Sequence, residues 1–327
     1  MLRRLLPALL CAAVLCGGCS GDATPPVADV RSTEPAVPPA ITAPESLKVL
    51  DDYVTGHNGA AASGELKAWR DTATGPLREV LSAQATAGHG RPKSGRISLV
   101  NPVMYVPRLT GYPRWFAAAA LEEHPGGGAP VEVVLLFVRA TAAERWRPAH
   151  RLPFKGRPPE IATDGQGYAL PVAPQAAGFV LAPGGLPAAH AAYLNGRTSP
   201  AFAPDPYTAS QRAPLPAAGG WSRTDAFTPG GAPVYALRTK DGGALVWYTV
   251  TQATRLTSDG SGSAATLPAA VRAYLGGGEG GGEGGAEKAV GRAEATWMWL
   301  AIGYLPTRGR AAVLGENVTL TRATAAP

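Results

Sequence analysis

The chain has 327 residues, of which 45% are hydrophobic and 17% charged, a globular balance that excludes a disordered polyelectrolyte. Its formal charge is +6, and without Arg3 and Arg4 it carries 28 basic against 24 acidic residues, or +4. So small an excess over this length excludes a nucleic-acid interface, which needs a dense basic face.

Arg3 and Arg4 are followed by an apolar run from residue 5 to residue 18. Fourteen residues are too few to span a hydrocarbon core that takes roughly 20, so the segment reads as a signal peptide over 1–18. All three cysteines, Cys11, Cys16 and Cys19, lie in or directly after it, which excludes a disulfide framework further on. Cys19 follows Gly17 and Gly18, a small-small-Cys arrangement that resembles the lipobox of bacterial lipoproteins. Cys16 stands where that box usually has leucine. Cys19 is therefore the expected lipid acceptor, which puts the chain on the outer face of a bacterial cytoplasmic membrane with membrane lipid as its first partner. Residues 19–44 hold six prolines and no sustained apolar period, and read as a lipid-anchored flexible tether leaning toward polyproline II.

Folded structure is expected from Glu45. Leu47, Leu50 and Val54 recur at helical spacing, with Gly56 as the stop. A short segment around Leu66 and Trp69 follows, and Thr74-Gly75-Pro76 opens a helix that buries Leu77, Val80 and Leu81. Strands are predicted from Arg96 onward: around Val103, around Trp115, through the doubly apolar run Val131–Ala140, and, broken by Pro148, through Arg145–Phe154. Asp164-Gly165 marks a turn. In the second half Leu186–Leu194 reads as a helix that ends at Asn195-Gly196. The runs around Tyr235 and Trp247 flank a hairpin turn at Lys240-Asp241-Gly242-Gly243. Leu267–Leu275 reads as another helix, Gly276–Gly285 as a loop without packing content, and two strands close the chain.

The expected class is α+β: two tandem modules, 45–180 and 181–327, each of helices packed on a curved antiparallel sheet, and related by a diverged internal duplication. Trp115 and Trp247 occupy matching places, early in the second strand of a hairpin. The phrases WRDTATGPLRE, GYPRWFAAA, LLFVRATAAERWR, DGQGYA and AAYLNGR, between Trp69 and Arg197, resemble those of a family of actinobacterial lipoproteins assigned to a domain of unknown function. That resemblance implies a surface lipoprotein built of two cone-shaped α+β modules, similar to nuclear-transport-factor-like or cystatin-like domains. It carries over no catalytic residues.

The five histidines, His57, His89, His124, His150 and His190, stand at no metal-ligand spacing, and no cofactor or metal is expected. Glu122-Glu123-His124 reads as a solvent turn. Neither Gly-x-Ser-x-Gly nor Ser-x-x-Lys occurs, so the common envelope-hydrolase signatures are missing. Two features remain as candidates. Arg145, Arg147 and Arg151 share strand parity and would present one cationic face to an anionic envelope polymer or headgroup, or else mark a solvated edge. Trp297 and Trp299 share a face of their strand and would line an apolar pocket, or else fill the core. The leading functional expectation is a non-enzymatic binding or envelope-assembly protein, with an envelope protein or anionic polymer as partner. The alternatives are a small-molecule binder using the tryptophans, or an enzyme with Asp205 or Asp225 as its base.

Overall fold

Thr42 starts the first helix. Its hydroxyl accepts from the Glu45 amide and the Glu45 carboxylate accepts from the Thr42 amide, a capping box that satisfies two amides at the helix start. The computed structural model describes residues 37–88, 95–154, 158–197, 201–202, 220–260, 267–276 and 290–327. Ordered packing begins earlier than the tether boundary at 44 implied. Pro39 bridges Arg108, the Ala40 amide donates to the Pro107 carbonyl, and Ala40 and Ile41 are buried. The proline-rich composition of this stretch conceals two apolar side chains that fill the core.

Helix α1 (Ala43–Ser63) runs through Gly56, the expected stop, and ends at Gly64 in the left-handed conformation, φ 70°. Its buried stripe is Leu50, Tyr53, His57 and Ala60, whereas Leu47 points to solvent. Burial of that longer stripe offsets the cost of about 1 kcal/mol for an internal glycine. Helices α2 (Leu66–Thr72) and α3 (Gly75–Ala87) follow, burying Trp69 and then Leu77, Val80 and Leu81.

The first sheet is an antiparallel meander of β1 (Ser98–Tyr105), β2 (Arg114–Glu123), β3 (Val131–Arg139) and β4 (Arg147–Pro153), in that order. One face, with Phe116, Leu135 and Phe137, packs on Leu50 and Tyr53 of α1. The other, with Trp115, Leu136 and Val138, meets Trp69, Leu77 and Val80. With both faces covered, β3 is buried from Val133 to Val138, as its continuous apolar run requires.

The second half holds α4 (Leu186–Leu194), β5 (Trp221–Pro229), β6 (Tyr235–Arg238), β7 (Ala244–Ser258), α5 (Ala269–Gly276), β8 (Arg292–Leu305) and β9 (Ala312–Ala326). Its antiparallel sheet has the order β5-β7-β8-β9, and β6 also pairs with β7 through the turn at Asp241 and Gly242, φ 87°. One face packs on α4 through Val246, Tyr248 and Trp299. The opposite face sends Leu245, Trp247, Leu300 and Ile302 into the same core as Trp69, Trp115 and Leu136. The molecule is thus α+β with two antiparallel sheets that share one core, and both Trp115 and Trp247 lie in it. The halves do not match strand for strand: four strands stand against five. No described helix is long and apolar enough to cross a membrane.

Candidate functional site

Cys19 and Asp205 lie outside the described residues. The three arginines expected on one face are separated by a bulge in β4. Arg147 stands opposite Val138 and Arg151 opposite Leu135, with Ala149 looped out between them. Opposed residues share a face and neighbours alternate, so the extra residue puts Arg147 and Arg151 on opposite faces. Arg145 precedes the strand. Arg151 turns inward and donates through Nε to Glu122 Oε2 at 2.7 Å. Glu122, expected in a solvent turn, is only 2% exposed; it forms a buried ion pair, with His124 Nε2 3.3 Å from its other oxygen.

Trp297 and Trp299 do share a face, but they do not frame one pocket. Trp299 is core: it lies edge-on to Phe227 and His190, and its Nε1 donates to Gln252 Oε1 at 2.9 Å. Trp297 is half-buried, and its buried Nε1 has no hydrogen-bond partner among the described residues. Asp225, the alternative base, is already engaged by Arg223 at 2.8 Å and by Thr254 and Gln252. His57 does not pair with Asp51 or Asp52; its Nε2 faces the Gly95 carbonyl at 3.3 Å, and burial lowers its pKa to about 4.

Among the described residues two clefts contain several cations. The larger, about 770 Å³, lies between α1, α2 and the β3–β4 connection, and holds Arg139, Arg145 and Arg147 with Asp52, Asp71 and Glu144. Three cations stand there against three carboxylates. The guanidiniums also bond locally: Arg139 donates to the Glu144 and Ala142 carbonyls, and Arg145 and Arg147 to that of Asp71. These arginines fasten a loop.

The other cleft, about 560 Å³, opens between α3 and the β7–β9 part of the second sheet. Arg78, Ser82 and Thr86 recur every fourth residue of α3, so they form one row along the helix wall. Arg70 comes from α2, and Thr251 and Met298, paired across β7 and β8, lie on the opposite wall. Thr296 is opposite Arg322 and Trp297 opposite Leu320, so Thr321 bulges out of β9. That bulge brings both Thr321 and Arg322 to the cleft, where Tyr274 of α5 joins them. Arg70, Arg78 and Arg322 make no side-chain hydrogen bond or ion pair with a described residue, and Glu79 is the only carboxylate among the described residues of the lining. Three guanidiniums from three elements thus face one described carboxylate, Glu79, in a concave site, an excess of positive charge. Sequence reasoning missed them because they are scattered from Arg70 to Arg322, while the arginines it singled out, Arg145, Arg147 and Arg151, bond to nearby groups.

The chain matches the family described as "Domain of unknown function (DUF8094)" over residues 37–325. It is 31% identical over 230 residues to an uncharacterized lipoprotein of Streptomyces coelicolor, covering 66% of this chain and 68% of that protein. A second uncharacterized lipoprotein of the same organism is 30% identical over 185 residues, covering 52% of this chain and 51% of that protein. No solved structure matches.

Proposed function

We propose, from the premise that this chain belongs to the DUF8094 family of uncharacterized actinobacterial lipoproteins, that it is a lipid-anchored, non-enzymatic binding protein for an anionic envelope component. Cys19 is its acylation site, and the body beyond Val37 stands on the outer face of the cytoplasmic membrane. The names of the two relatives and the small-small-Cys pattern support the anchor. The observation that carries the binding role is the convergence of Arg70, Arg78 and Arg322 on one cleft whose described lining holds a single carboxylate, Glu79. A guanidinium stays protonated at any physiological pH, so this site is equipped to hold negative charge rather than to move protons.

The test is retention of the intact chain, in a neutral detergent, on immobilised dextran sulfate. The Arg70→Ala/Arg78→Ala/Arg322→Ala variant is expected to lose affinity by about tenfold or more, and added salt to weaken the parent progressively. Arg255→Ala, on an exposed strand position paired with Glu294, is the control and is expected to change little. Equal retention of the triple variant and its parent would sink the reading.

A further inference from the structure

We propose that the cleft between α3 and β7–β9 is built for an anionic polyol, a ligand that carries a phosphate or carboxylate together with free hydroxyl groups. This rests on the reading of the cleft as an anion site and adds what else the ligand must contain. The arginines are donors only. Of the six described hydroxyls on the same walls, four have committed their hydrogens to main-chain carbonyls. Ser82 donates to Arg78 at 2.7 Å, Thr86 to Ser82 at 2.9 Å, Tyr274 to Thr321 at 2.8 Å and Thr321 to Thr296 at 3.1 Å. A hydroxyl holds one hydrogen and two lone pairs, so each of these four offers the cleft acceptors alone. Glu79 adds a fifth acceptor group. The walls therefore present two complementary sets: cationic donors for the ligand's anion, and fixed acceptors for hydrogens that the ligand must supply. A bare inorganic anion or an apolar acid satisfies the first set and leaves the second facing groups that donate nothing. A phosphorylated or carboxylated polyol satisfies both.

The experiment titrates the intact chain, in a neutral detergent, with glycerol 3-phosphate and with propyl phosphate, which match in charge and carbon count and differ in the two hydroxyls. Glycerol 3-phosphate is expected to bind about fivefold tighter or more, the yield of one or two added hydrogen bonds. In the Ser82→Ala/Thr86→Val variant that ratio is expected to fall below about twofold, with propyl phosphate affinity unchanged. Both positions are half-buried on the cleft side of α3, so the core is left intact. Equal affinities of the two phosphates would overturn the polyol assignment while leaving the anion site standing. Binding of neither would overturn the anion reading itself. Uridine monophosphate binding tighter than both would replace the polyol by a nucleotide. Vesicles of phosphatidylglycerol separate the sources: capture of the soluble, Cys19→Ser chain that glycerol 3-phosphate competes away assigns the polyol to a lipid headgroup. Binding of the soluble compound without capture assigns it to a free or polymeric polyol phosphate, and either result supports the proposal.

Discussion

His150 stands opposite Leu136, fully buried, with neither ring nitrogen hydrogen-bonded to a described residue. Burial lowers its pKa to about 3, and that of His57 to about 4. Both therefore fold as neutral imidazoles, whereas the unfolded chain takes up protons below about pH 6.5. Folded values below the unfolded one mean stability that is present above pH 6.5 and lost as the pH falls toward 3 to 4. Between pH 7 and pH 4.5 each histidine should remove about 2 kcal/mol, and His150→Leu should recover roughly half of the combined loss, read from urea midpoints at the two pH values. A variant with the same pH slope as the parent would contradict this. These roles were not legible in the sequence, which shows that a histidine is present but not what surrounds it. The same holds for charge: Glu122 and Arg151 are visible as a carboxylate and a cation 29 positions apart. Only the pairing of β2 and β4 with β3 shows that they neutralise each other inside the protein.

At the scale of elements, sequence periodicity did best where one face is apolar and worst where both faces are mixed. The meander β1–β4 and the long strands β7 and β8 were legible because their apolar side chains outnumber the alternatives. Strand β5 was not expected at all: Ser222, Arg223, Thr224 and Asp225 give it no hydrophobic alternation, and only Trp221 and Phe227 anchor its ends. Its place is fixed by the register with β7, from Trp221 opposite Ser258 to Pro229 opposite Val250. Glycine was also misread, in both directions. Gly56 looked like a stop and sits inside α1, while Gly315 of β9 looked unremarkable and governs how the sheets meet. A β-carbon at Gly315 would overlap the Pro153 carbonyl oxygen of β4. Gly315→Ala is therefore expected to cost about 1–3 kcal/mol, as overpacking does, seen as a lower urea midpoint. Gly126→Ala, with open space around it, should stay within about 0.5 kcal/mol of the parent.

For the whole molecule, the α+β class and the pair of sheets could be read from the chain, but not the core that the two sheets share. Trp69, Trp115 and Trp247 come from α2, β2 and β7 and meet in one cluster, a convergence that no local window contains. The anchor is the reverse case, an expectation from the sequence at Cys19 that lies outside the described residues. Labelled fatty acid is expected to enter the chain and to be absent from Cys19→Ser; label persisting in the variant would remove the anchor from this residue. If the anchor holds, the junction at Val37 acquires a mechanical role. Any pull between the membrane and a ligand in the cleft is transmitted through the first stitches of the body. These are the Ala40–Pro107 and Leu109–Pro38 main-chain bonds, and the Arg108 guanidinium that joins the Val37 carbonyl to Asp164 and Gln166. Arg108 acts as the strain relief of a cable, spreading tension into the Asp164 turn before it reaches the cap of α1.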